Sequence, residues 1–116
     1  MLLVDDERSI RLVLRRTLAK DGWAVEEVGD GAAAVALLDD ERRSWAAIVL
    51  DVTLPGVSGI EIYRRLQARR PDLARRVVLT TGASSDLLDD TGCPVLHKPF
   101  DIEVARALVR RAAGAD

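Results

Sequence analysis

The sequence has little cysteine, no basic excess and no long apolar run. A single cysteine, Cys93, stands among 116 residues. A lone thiol forms no internal disulfide, and without a His/Cys cluster it builds no zinc site. The net charge is -2, whereas chains that hold nucleic acid by phosphate attraction are usually basic. Direct nucleic-acid binding is therefore not expected. No stretch approaches the roughly 18 apolar residues needed to span a bilayer. The opening "MLLVDDE" lacks the basic start and long apolar core of a signal peptide. A cytoplasmic protein with no membrane partner is expected. No linker, repeat or low-complexity segment interrupts residues 1–116, which are read as one domain. Hydrophobic residues at 48% and charged residues at 31% are enough for one soluble core.

Strand-length apolar runs alternate with helical patterns. "LLV" at 2–4 reads as a strand. Ile10, Val13, Leu14, Thr17 and Leu18 then share one helical face, which Gly22 ends. "WAVEEV" at 23–28 reads as a second, less apolar strand near an edge. Asp30 can cap the next helix, with Val35, Leu37 and Leu38 inside it. "AAIVL" at 46–50 is the clearest strand. Ser58 and Glu61 fit a capping box before a helix with Ile62 and Leu66 inward, and Pro71 stops it. "VVLT" at 77–80 and "PVLH" at 94–97 are the fourth and fifth strands, with a short fourth helix between them at 84–92. Asp101 opens the last helix, with Ile102, Ala105 and Val109 on one stripe. Such alternation predicts a doubly wound α/β domain: five parallel strands in the flavodoxin-like order 2-1-3-4-5, with helices on both faces.

Ligands of these sheets bind at the carboxyl ends of the strands. The first strand delivers Asp5 and Asp6 there, the third Asp51, the fourth Thr80 and Thr81, and the fifth Lys98 followed by Pro99. Three clustered carboxylates repel one another and coexist best around a hard divalent cation such as magnesium. An ammonium and a hydroxyl beside them complement a phosphoryl group, and a carboxylate can act as nucleophile toward phosphorus. The chemistry implied is metal-assisted phosphoryl transfer to an aspartate.

"LLVDDE", "IVLDVTLPGVSG", "VVLTTGA" and "LHKPF" resemble, in order and spacing, the receiver domain of two-component response regulators, over essentially the whole chain. The resemblance implies that Asp51 is the phosphoacceptor. It implies that Asp6 binds magnesium (or manganese) directly, with Asp5 contributing partly through water and the backbone carbonyl of Thr53 as a further ligand. Lys98 would contact the phosphoryl oxygens, and Thr81, followed by the small Gly82, would be the switch threonine. Pro99 would form a cis-linked turn. The donor would be a histidine kinase or a histidine phosphotransfer domain. Self-catalysed phosphorylation and slow autodephosphorylation would be the extent of the enzymology. "TGCPVLHKPFD" is also similar to receivers of hybrid sensor histidine kinases.

Two departures from the family stand out. Val95 occupies a position that is often aromatic and reports activation, and the stretch between Thr81 and Lys98 is short. A homodimer through the face of helix four, strand five and helix five is implied by the family but depends on that shortened stretch. Two alternatives stay open. One is a small phosphatase or phosphotransferase of the aspartyl-phosphate type, although Thr53 stands where such enzymes place a second acid. The other is a degenerate receiver acting as a protein-binding scaffold. The remaining features have plainer readings. His97 is a strand-end side chain and Cys93 a small loop residue. Trp23 and Trp45 are packing groups. The arginine pairs at 15–16, 42–43, 64–65, 69–70, 75–76 and 110–111 are solvated surface.

Overall fold

A computed structural model of the chain describes residues 1–82 and 91–114. Five strands lie in it: β1 (Leu2–Val4), β2 (Glu26–Val28), β3 (Ile48–Asp51), β4 (Val77–Thr81) and β5 (Val95–His97). All pair in parallel, in the order β2-β1-β3-β4-β5, as the alternation predicts. The helices are α1 (Arg8–Lys20), α2 (Gly31–Asp39), α3 (Gly59–Arg69), the single turn α4 (Pro71–Ala74) and α5 (Ile102–Ala112). The fourth helix expected at 84–92 falls mostly on residues outside those described.

The strands read as continuous apolar runs because both faces of the sheet are covered. Leu2, Val4, Ile48, Leu50, Val77 and Leu79 turn to one side, where they meet Ala34 and Leu38 of α2, Ile62 and Leu66 of α3, and Leu73 of α4. Leu3, Val49 and Val78 turn to the other and meet Leu14 and Leu18 of α1 with Ala105 and Val109 of α5. The expected caps form: Asp30 accepts from the Ala33 N–H at 2.7 Å, Ser58 from Glu61 at 3.2 Å and Asp101 from Glu103 at 2.7 Å. Gly22, at φ 93°, turns the chain out of α1.

Three expectations are corrected and one, that Pro71 stops α3, is extended. The second strand begins at Glu26, not Trp23, because β1 offers partners only to Glu26, Glu27 and Val28. Val13 is exposed; the helical stripe rolls so that Leu14 and Leu18 are what α1 buries. Pro71 does more than stop α3, since it sits at the first position of α4, where its missing N–H has no helical partner to lose. Arg70 and Arg76 are not merely solvated surface. Arg70 donates to the carbonyls of Leu38, Asp40 and Arg43, and Arg76 to that of Trp45. Trp45 is buried beneath Arg43, whose guanidinium lies 4.6 Å from the ring centroid, so it is a packing group.

Candidate functional site

β1 lies between β2 and β3, so the chain crosses to opposite flanks after β1 and before β3. That is the switch point, where strand ends open a crevice. Asp5 follows β1 directly and Asp51 is the last residue of β3. Both are almost fully buried, 1% and 3% exposed, while Asp6 is exposed. One carboxylate oxygen from each of Asp5, Asp6 and Asp51 lies within 4.8 Å of the other two. The cluster read from the sequence therefore forms.

Lys98 offsets part of that charge. Its Nζ lies 2.9 Å from Asp5 Oδ2 and 3.1 Å from Asp51 Oδ2, with Glu7 Oε1 at 3.4 Å. The backbone anchors it there through the Lys98 N–H, which donates to the Thr81 carbonyl at 2.7 Å; the Lys98–Pro99 peptide that follows is cis. Burial pushes the Asp51 carboxyl above the usual carboxylate range, and the Asp5 charge pushes the same way. The Thr53 N–H, donating to Asp51 Oδ1 at 3.0 Å, and the Lys98 ammonium work against that rise. Burial also disfavours the Lys98 ammonium, but its bonds to Asp5 and Asp51 outweigh that and hold its pKa above the ordinary lysine value. Lys98 is thus charged at neutral pH.

The turn after β3 holds Asp51 in place. Gly59 donates its N–H to the Val52 carbonyl at 2.9 Å, and a Cβ at Gly59 would collide with the Asp51 carbonyl oxygen. Only glycine lets the start of α3 approach this closely. Thr80 sits opposite Asp51 in the β3–β4 register, and its carbonyl accepts from Val52. Thr81 ends β4 opposite His97; both threonines are buried. Asp6, Glu7, Asp51, Thr53, Gly82 and Lys98 line an open cleft of about 260 Å³. A larger hollow of about 400 Å³, against Tyr63, Gln67, Arg75 and Cys93, brings no acids together among the described residues.

The other singled-out residues stand apart. Val95 is half-buried, paired with Leu79 and packed on the α2–α3 side of the core. His97 is exposed. Cys93 is half-buried and its thiol donates to the Val77 carbonyl at 3.1 Å; burial pushes it up to about 12, so it is no nucleophile at neutral pH. Two residues at the site were missed in the sequence. Glu7 was legible as the third acid of "DDE". Arg11 gave no signal, yet its Nη1 donates to the Asp5 carbonyl at 2.6 Å.

The cleft has an oxygen-only donor set, as a hard divalent cation requires. Asp5, Asp6, Asp51 and Glu7 against one ammonium leave an excess of negative charge that such a cation would offset. The sequence pattern of the response regulator receiver domain matches residues 1–110. The response regulator MprA of Mycolicibacterium vanbaalenii is 37% identical over 123 aligned positions, covering 100% of this chain and 52% of that protein. The chain thus spans about half the length of the curated relatives it matches. The receiver domain of a sensor histidine kinase from Pseudomonas aeruginosa superposes with a TM-score of 0.81 at 28% identity, covering 97% of this chain and 95% of that one. It was solved with a magnesium ion coordinated in its active-site cleft. A CheY-like receiver domain protein from Methanospirillum hungatei shares the fold at a TM-score of 0.86 and 20% identity, over 97% and 91% of the two chains.

Proposed function

The chain belongs to the response regulator receiver domain family, and from that membership we propose that Asp51 accepts a phosphoryl group from a phosphohistidine donor in a two-component phosphorelay. The donor is a histidine kinase or a histidine phosphotransfer domain. A carboxylate oxygen of Asp51 bonds to phosphorus as the P–N bond of the phosphoimidazole breaks, and the electron pair of that bond stays on the imidazole nitrogen. The observation that carries this reading is the position of Asp51. It is a buried carboxylate at the tip of β3, tied to Lys98, in a cleft open to solvent.

Asp6, Asp51 and the Thr53 carbonyl are the residues that would hold magnesium, with Asp5 supporting through water. Manganese suits the same oxygens. When bound, the cation supplies charge neutralisation between the carboxylates and the incoming phosphoryl oxygens. Lys98 exchanges Asp51 for a phosphoryl oxygen once Asp51 has become an acyl phosphate. The phosphoryl group carries about -1.5 to -2 at neutral pH in place of the single carboxylate charge, and draws Thr81 and Lys98 toward it. Slow hydrolysis, with water attacking phosphorus, returns the carboxylate and releases phosphate.

Residues 1–116 act together as one receiver domain. Their likeness to response regulators at 37% identity favours that setting over a hybrid kinase. The expectation that nucleic acid is no partner gains no support, because half of each such relative lies beyond the match. Among the described residues no helix is long and apolar enough to cross a membrane. The phosphatase alternative gains nothing from Thr53, which brings no acid to the cleft. A homodimer through the face at strand β5 depends on residues outside those described.

The test is magnesium with beryllofluoride, followed by amide NMR. Shifts centred on Asp51, Thr81 and Lys98, absent in Asp51→Asn, are expected. A spectrum that magnesium and beryllofluoride leave unchanged would overturn the assignment.

A further inference from the structure

We infer that Arg11 is a positioning residue for the cation-binding loop, acting through the backbone of Asp5. This rests on the proposed magnesium-dependent reading of the cleft. Arg11 lies on the first turn of α1, behind the acids rather than among them. Its side chain is 17% exposed. Nη1 donates to the Asp5 carbonyl at 2.6 Å, and Nε lies 3.4 Å from Glu27 Oε1 on β2. Glu27 is held in turn by Arg15, whose Nη1 lies 3.4 Å from Oε2. Glu27 is shared between Arg11 and Arg15 and offsets only part of their charge; what Arg11 gives the loop through Nη1 is placement of the Asp5 carbonyl.

Asp5 is fixed at four points. Its N–H donates to the Val28 carbonyl at 3.2 Å, its carbonyl is held by Arg11, its Oδ1 accepts from the Glu7 N–H at 2.8 Å, and its Oδ2 faces Lys98 at 2.9 Å. With both carboxylate oxygens engaged, Asp5 frames the site while the exposed Asp6 is turned out to meet a cation. The peptide joining Asp5 to Asp6 contains the carbonyl that Arg11 grips. Rotating that peptide would swing Asp6 away from Asp51. Gly29 provides the space. A Cβ there would lie 3.0 Å from Arg11 Nη1 and 3.6 Å from Cζ, and Gly29 is not among the positive-φ residues. A larger residue at 29 would leave the backbone relaxed and push on the guanidinium.

Calorimetric magnesium titration of the chelator-treated protein, with thermal unfolding of the metal-free forms, tests this. Arg11→Met should weaken magnesium about tenfold, the usual scale for losing a group that orients a ligand. Gly29→Val should weaken it in the same direction, and the double variant should bind no worse than Arg11→Met alone. Arg11→Lys should recover part of the loss, because an ammonium can still donate to the Asp5 carbonyl but lacks the fork that reaches Glu27 as well. Unchanged magnesium affinity in Arg11→Met, even with a lower melting temperature, makes the role merely structural and overturns the inference. So does a full additional loss from Gly29→Val in the Arg11→Met background. A wild-type protein that takes up no magnesium defeats the functional reading itself, and this inference with it.

Discussion

At the end of the sheet away from the cleft, Arg70 reaches three backbone carbonyls and Arg76 a fourth. At the cleft, Lys98 serves Asp5 and Asp51 together, with Glu7 at its edge. The aspartates differ accordingly. Arg106 holds Asp21 below the usual carboxylate range, Arg65 does the same for Asp39 and Arg42 for Asp40. Burial drives Asp51 the other way. One end is built from complementary charges and needs nothing further. The other keeps an excess of negative charge in a buried place, which costs stability unless a ligand completes it. Paired charge thus lies at one end of the strands, and unpaired charge, with the site, at the other.

The contrast can be broken at its most rigid point first. Gly59→Ala puts a methyl group against the Asp51 carbonyl and should destabilise by about 3 kcal/mol, the upper range for overpacking; denaturant titration checks it. Arg70→Met leaves its carbonyl acceptors without their donor and should cost about 2 kcal/mol. In that variant phosphoryl uptake should persist, because nothing at the cleft has moved. Asp51→Asn should act in the opposite direction and raise the melting temperature of the metal-free protein, since one of three mutually repelling carboxylates is gone. The smallest effect belongs to Arg65→Met. Asp39 has a lowered native pKa, so its contribution is full above the unfolded carboxylate pKa and is lost as pH falls through the native one. Removing Arg65 should therefore lower neutral stability slightly, flatten the acid limb of the stability profile and leave stability below the native pKa unchanged.

Much of this was legible in the sequence. Buried parallel strands read as apolar runs, and Asp30, Ser58 and Asp101 declared the helix starts by their chemistry. Asp5, Asp6, Asp51 and Lys98 were found because the fold brings strand ends together, so position in the chain predicted position at the cleft. Arginine was the residue type that misled. Its long side chain can lie in solvent or run to a backbone carbonyl, six residues back for Arg11 and far along the chain for Arg70 and Arg76, and nothing in the local pattern distinguishes the two. The carbonyls that Arg70 reaches lie between 27 and 32 residues away. Such a bond depends on tertiary placement, which a local pattern does not encode. The same holds for Val13, whose burial depends on how far α1 rolls on the sheet.

The most direct test is the intact mass of the protein after exposure to acetyl phosphate and magnesium, followed by peptide mapping. The account predicts one added phosphoryl group on Asp51, lost when a chelator replaces magnesium and absent in Asp51→Asn. A phosphoryl group on another residue, or none in the folded wild-type protein, would contradict it.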